Sequence, residues 1–185
     1  MRCFGDGNPL YERYHDEEWG VAVRDEHGLF ERISLEAFQS GLSWITILGK
    51  REGFRRAFAN FDPVAVAAFG PADVQRLLDD TAIVRNRAKI EATITNARAT
   101  LALREAGTPL HELVWSFAPA ARPAPTSFAD VPAQTEGSRT LARALKASGF
   151  RFVGATTAYA AMQACGLVND HLSTCPVRER AGAAS

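Results

Sequence analysis

A chain of 185 residues, 46% of them apolar, falls within the usual size of one domain and can bury a substantial core, so a single unit spanning 1–185 is expected. No stretch approaches the roughly 20 uncharged apolar residues of a membrane helix, which argues against a membrane-spanning helix. The 21 basic and 21 acidic side chains cancel, and a net charge of zero says nothing by itself about a polyanionic partner.

Helical punctuation recurs along the chain. Asn8-Pro9 places a capping side chain before a proline suited to a first helical turn, and Asp62-Pro63 repeats the signal. Apolar spacings of three and four predict helices over 25–40, 43–59, 71–78, 86–106, 138–148 and 156–165. Gly107, Gly149 and Gly166 each follow such a pattern and can take the left-handed conformation that closes a helix. The Pro- and Ala-rich stretch 119–132 reads as a long surface connection between two helical halves, and the closing Ala-Gly-Ala-Ala-Ser as a frayed tail. With no convincing alternating strand and no internal repeat, the fold class expected is all-α.

Charge is spread unevenly. Residues 1–49 carry 4 basic and 9 acidic side chains, residues 50–104 carry 10 and 6, and the remainder 7 and 6. The middle segment could present a basic face to phosphates, although a solvated helix face is the commoner meaning of such an excess. Three cysteines make an odd, sparse set that argues against a disulfide framework. Residues 1–6 lack the apolar run of a signal peptide, and a cytoplasmic location is expected.

Cys3 and His15 lie near the start, and His171 and Cys175 near the end. Two thiols and two imidazoles suit tetrahedral zinc. Four protein ligands leave no position for an activated water, so such a site would be structural and would tie the two ends together. On spacing alone, an ordinary packed residue is the commoner reading of each. Cys165, inside Met162-Gln163-Ala164-Cys165, reads as core.

Glu36 falls three residues after Ile33 and seven after Leu29, so on a helix its carboxyl shares an apolar stripe with both. A carboxyl there must be protonated, hydrogen-bonded or waiting for a cationic ligand, with a paired core glutamate as the plainer alternative. Asp16, Glu17 and Glu18 read as solvated acids. Tyr11, Tyr14 and His15 fall within one helical turn, open to core packing or to holding a flat ligand. Trp44 follows Gly41-Leu42-Ser43, where Gly41 can end one helix and Ser43 can cap the next, placing the indole beside a turn. Segment 77–90 joins two helices through a short turn and carries Arg85, Arg87 and Lys89 at alternate positions. It is a candidate helix-hairpin-helix, whose second-helix amides would accept a phosphate oxygen.

Five segments resemble the 3-methyladenine DNA glycosylase I family: Pro9-Leu10-Tyr11-Glu12-Arg13-Tyr14-His15-Asp16-Glu17-Glu18-Trp19-Gly20, Gly41-Leu42-Ser43-Trp44-Ile45-Thr46, Val114-Trp115-Ser116-Phe117, Phe150-Arg151-Phe152-Val153-Gly154, and 162–171 through to His171. The resemblance runs from about Cys3 to Cys175. It implies an all-α, helix-hairpin-helix glycosylase fold with one structural zinc on Cys3, His15, His171 and Cys175. It also implies hydrogen bonds from Glu36 and Tyr14 to the methylated base, with Phe4, Tyr11 and Trp44 as pocket aromatics. Leu42 resembles the turn residue that enters the duplex near the lesion, and Gly41 permits close backbone approach. The implied partner is double-stranded DNA carrying alkylated bases, bound by a monomer.

Two departures from the family pattern stand out. The segment between Cys3 and Pro9 is one residue shorter, with Phe4 roughly where tryptophan is usual, and Ala82 occupies a hairpin position where the family has glycine, so strain is expected there. The implied activity is hydrolysis of the N-glycosidic bond of 3-methyladenine. None of Lys50, Lys89 and Lys146 matches a family nucleophile, so strand cleavage is not expected. The alternatives are a zinc-stabilised module that binds damage without excising it, and a zinc hydrolase, which would need an open coordination position.

Overall fold

The computed structural model describes residues 2–182, and every regular element among them is helical. Five helices fill the first part: α1 (Pro9–Glu17), α2 (Glu26–Gln39), α3 (Trp44–Ala57), α4 (Pro63–Ala67) and α5 (Pro71–Asp79). Five more follow: α6 (Arg87–Glu105), α7 (Leu110–Trp115), α8 (Glu136–Ala147), α9 (Ala155–Ala164) and α10 (Arg178–Gly182). Among the described residues no helix is long and apolar enough to cross a membrane.

Local chemistry sets most of the boundaries. Asn8, Asp25, Asp62 and Asn86 each accept a hydrogen bond from a first-turn amide, a cap worth about 1 kcal/mol. The helix expected from Ser138 begins instead at Glu136, because Thr135 and Ser138 exchange backbone-to-hydroxyl bonds of 2.9 and 3.1 Å. Ser43 also departs from expectation: its hydroxyl pairs with that of Thr46 at 2.7 Å and caps no amide. The helices α7 and α10 were not expected. Ala181 is buried within α10, so the frayed-tail reading fails there, and residues 183–185 lie outside the described residues.

The core centres on α2, which contacts α3, α6, α7 and α9. Leu29, Phe30, Ile33 and Phe38 are buried together with Phe54, Phe58, Ile90, Ala158 and Met162. Each large apolar side chain so buried contributes roughly 1.5–3 kcal/mol. The amide of Val23, just before α2, donates to the Cys165 carbonyl just after α9, which holds the start of α2 against the end of α9. Gly166 permits this closeness, since a Cβ there would lie 2.7 Å from the backbone of Val21 and Ala22.

The α5–α6 turn does not carry the strain expected at Ala82. Left-handed φ values outside glycine occur among the described residues at Ala59, Asn60, Phe61 and Phe152, and Ala82 is not one of them. Asp80 accepts from the Ala82 amide at 2.8 Å, Lys50 donates to the Thr81 carbonyl at 2.9 Å, and Gly53 of α3 lets the turn settle against that helix.

Candidate active site and metal centre

Successive residues of a helix point about 100° apart, and α1 uses this to serve two sites. Tyr11 and Tyr14 line a cleft, while the neighbouring His15 is fully buried toward the chain ends. The cleft has a volume of about 180 Å3 and is walled by Phe4, Tyr11, Tyr14, Trp19, Glu36, Gln39, Trp44, Ala160 and Gln163. That is below the roughly 300–1,000 Å3 of pockets for drug-sized ligands, and it suits one small flat molecule. Tyr14 and Trp44 have ring centres 5.2 Å apart, and Phe4 lies 4.8 Å from Tyr11 and 5.0 Å from Trp19. The indole N–H of Trp44 is buried without an acceptor.

Glu36 closes this cleft. It is only 6% exposed, and burial pushes its carboxyl up to about 8, against the opposing charge of Arg32. Arg32 donates to Glu18 at 2.9 Å through Nη2, with its guanidinium 5.8 Å from the Tyr14 ring centre, while its Nη1 is buried without a partner. Burial, reinforced by Glu36, raises the Tyr14 hydroxyl well above its ordinary range, so it stays a neutral donor.

Among the neighbouring acids Glu17 is exposed, as its solvated reading expects, whereas Asp16 and Glu18 are paired. Burial alone would raise Glu18, but Arg51 at 2.5 and 2.8 Å and Arg32 outweigh it and hold the carboxyl below its usual range. Arg2 bonds both oxygens of Asp16 at 3.0 Å and lowers its carboxyl to about 2.

Four cleft residues escaped sequence reasoning: Trp19, Gln39, Ala160 and Gln163. Gln39 had a signal, lying three residues after Glu36 on the same helix, and its amide also donates to the Leu42 carbonyl at 2.8 Å. Gln163 had none. It arrives from α9 and is oriented by Asp170 at 2.9 Å, itself held by the Tyr159 hydroxyl at 2.6 Å.

A larger cleft of about 570 Å3 opens beside Trp115, but its cations are occupied. Arg122 pairs with Asp170 and Tyr159, Arg178 donates to the carbonyls of Asn169 and His171, and Arg24 lies 4.0 Å over the Trp115 ring.

Cys3, His15, His171 and Cys175 are all buried, and their ligand atoms lie within 4.8 Å of one another. The sulfur-to-nitrogen separations are 3.4, 3.5 and 3.6 Å. A tetrahedral ion with bonds of about 2.3 Å to sulfur and 2.05 Å to nitrogen sets such edges at about 3.5 Å, so the donor set fits a four-coordinate metal. Each imidazole is oriented by its other nitrogen, His15 Nδ1 lying 2.8 Å from Asp16 and His171 Nε2 2.9 Å from the Trp19 carbonyl. These are the outer contacts that fix a ligand's tautomer. The cluster also abuts the cleft: Phe4 follows Cys3 and stacks edgewise on His15 at 4.9 Å, and Trp19 meets His171 at 4.6 Å.

The comparisons with known proteins agree with one another. A profile of the family described as methyladenine glycosylase matches residues 4–179. The chain belongs to that family. DNA-3-methyladenine glycosylase 1 of Escherichia coli (strain K12) is 52% identical over 171 residues, covering 91% of each chain. The crystal structure of a 3-methyladenine DNA glycosylase I gives a TM-score of 0.92 at 49% identity, over 95% of this chain and 98% of that one. A tyrosine-to-phenylalanine variant of such an enzyme, in complex with 3-methyladenine, gives 0.90 at 32% identity, over 95% and 96%.

In this methyladenine glycosylase the residues expected to face DNA are scattered over several elements. Gly41 is left-handed with open space around it, and Leu42 beside it is 39% exposed, its carbonyl accepting from the cleft residue Gln39. Arg85 is exposed before α6, and Arg87 lies 3.5 Å from Glu91. Lys89 contradicts its expected role. It is buried, and its ammonium donates to the carbonyls of Phe38 and Ser40 at 2.8 and 2.6 Å, closing the end of α2. Much of the middle segment's positive charge is likewise spent internally, Arg51 on Glu18, Arg55 on Glu31 and Arg104 on Glu26.

Proposed function

We propose that this chain hydrolyses the N-glycosidic bond of 3-methyladenine in double-stranded DNA, opening base excision repair, and that Cys3, His15, His171 and Cys175 hold one structural zinc. The observation that carries the first reading is the desolvated carboxyl of Glu36 closing an aromatic cleft. Methylation at N3 makes the purine a cation. Once extruded from the stack, that cation gains from the ring faces of the aromatics and from ionisation of Glu36, whose proton leaves to solvent as the pair forms. Neutral adenine brings no charge to offset the burial of a carboxylate, so charge itself discriminates.

The bond from C1′ to N9 then breaks with its electron pair going to N9. The base departs neutral, the positive charge passes to the sugar as an oxocarbenium ion, and water adds at C1′ and gives up a proton to solvent, leaving an abasic site in an intact strand. Charge is moved and not created, so the carboxylate and the DNA phosphates can face it throughout, and no strong general acid is needed. None of Lys50, Lys89 and Lys146 lines the cleft, in keeping with water as the nucleophile. The α5–turn–α6 unit serves as the helix-hairpin-helix, Arg85 and Arg87 attracting phosphate, with Leu42 on the Gly41 turn entering the gap. When bound, the zinc crosslinks the two ends of the chain. The proposal includes a monomer acting in the cytoplasm.

Chromatography of methylated duplex DNA after incubation tests the reading. Free 3-methyladenine is expected, with no protein trapped on DNA by borohydride; a trapped adduct would contradict the hydrolytic step. A second expectation follows from Glu36. Calorimetry of an adenine dimethylated at N3 and N9, a fixed cation, should show proton release approaching one equivalent near pH 7 and none in Glu36→Gln. Equal release by both proteins would assign the proton elsewhere.

A further inference from the structure

The helix α9 brings two residues to the cleft wall, Ala160 and, one turn later on the same face, Gln163. The side-chain amide of Gln163 is held by a buried network. Its Nε2 donates to Asp170 Oδ2 at 2.9 Å, and the Tyr159 hydroxyl donates to the same oxygen at 2.6 Å. Arg122 pairs with Asp170 Oδ1 and also donates to the Tyr159 hydroxyl at 2.8 Å. Asp170 itself is 1% exposed.

This network decides which way the amide faces. Both oxygens of Asp170 are in use as acceptors, so the amide atom turned to them must be the nitrogen. The amide is planar, and fixing its nitrogen on Asp170 turns its oxygen away. Gln163 Oε1 has no hydrogen-bond partner among the described residues, and the polar atoms sealed there without one are Arg32 Nη1, Ser34 Oγ and Trp44 Nε1. The Gln163 oxygen is therefore an open acceptor on a residue of the cleft wall. Gln39 also gives its amide nitrogen away, to the Leu42 carbonyl, but that bond is exposed and no buried carboxylate stands behind it.

An oriented carbonyl oxygen recognises an N–H. The 3-methyladenine cation carries an amino group at C6, with two N–H donors. 3-Methylguanine carries a carbonyl at C6, which would set two acceptors against each other. We propose that Gln163 is a specificity-determining residue that reads the C6 amino group through Oε1, with Asp170 as the positioning residue that keeps the oxygen, and not the nitrogen, turned to the base. The proposal rests on the glycosylase reading given above and deepens it. Glu36 answers the charge of the base, and Gln163 tells adenine from guanine.

Calorimetry with two cations tests this without requiring excision: adenine dimethylated at N3 and N9, and the purine dimethylated at the same positions that lacks the amino group. Gln163→Met keeps length and helix propensity while removing the acceptor. Its preference for the amino cation should fall about three- to tenfold below that of the wild type, the worth of one neutral hydrogen bond. Its affinity for the cation without the amino group, and its melting temperature, should be unchanged. On methylated duplex DNA its kcat/KM ratio for 3-methyladenine over 3-methylguanine should fall by at least the same factor. Asp170→Asn frees the amide to turn over and should lower the preference as well, with no further loss when combined with Gln163→Met. An unchanged preference in Gln163→Met, equal loss of affinity for both cations, or a preference lost in Gln39→Met and kept in Gln163→Met would overturn this inference alone. Failure of the wild type to bind either cation or to excise would remove the glycosylase reading, and this inference with it.

Discussion

Glu36→Gln is expected to lower kcat/KM for excision of 3-methyladenine from duplex DNA about ten- to a hundredfold, while duplex affinity changes little. The estimate takes the loss of a charged hydrogen bond as roughly 1.5–3 kcal/mol, with 1.4 kcal/mol per factor of ten. The same substitution should make the ligand-free protein less sensitive to alkali. The folded-state carboxyl of Glu36, at about 8, stands above its ordinary 4.5, so its contribution to stability is complete below the lower value and is lost as pH rises through the higher one. The loss is bounded at about 5 kcal/mol, an order-of-magnitude ceiling because water can enter an open cleft. Melting temperatures of the two proteins should therefore diverge in favour of Glu36→Gln between pH 5 and 8. Parallel pH profiles would mean that Glu36 ionises freely in the folded chain.

The clasp gives the second large effect. Cys175→Ala, or chelation of the wild type, should lower the melting temperature by on the order of 10 °C. A crosslink spanning most of the chain is worth about 4 kcal/mol on a loop-entropy account, and about 2–4 °C follows each kcal/mol in a domain of this size. Metal analysis should find about one equivalent of zinc in the wild type. Activity should fall as well, because the clasp also builds the cleft. Cys3 carries Phe4 into the wall, and His171 follows Asp170, the residue that orients Gln163. A metal-free wild type of full stability would refute the clasp.

How much of this was legible depended on how local each signal was. Caps and apolar spacing act within one turn, so the start of α1 and both ends of α2, α5, α6 and α9 were found to within a residue or so, whereas α7, with 6 residues, is too short to show a period. The apolar stripe around Glu36 was readable for the same reason, and it also marked Gln39 one turn on. Lys89 was misread because three cations at alternate positions looked like one exposed row. Positions two apart on a helix face nearly opposite ways, so on α6 Arg87 points to solvent and Lys89 inward, and its carbonyl partners on α2 have no trace in the local sequence. Glu18 was misread similarly, since the two arginines that bury its charge come from α2 and α3. The assembly of Cys3 and His15 with His171 and Cys175 needs contacts across the whole chain; their types suggested a metal, and only the fold brings the four together.

The central claim is that a charged purine enters the slot formed by Phe4, Tyr14 and Trp44 and is met there by Glu36. A crystal structure with the bound cation of adenine dimethylated at N3 and N9 tests it most directly. The base is predicted to lie in this cleft with its edge about 2.6–3.2 Å from the Glu36 carboxyl and its face against the aromatic wall. A base bound elsewhere, or one in the cleft with Glu36 turned away from it, would contradict the account.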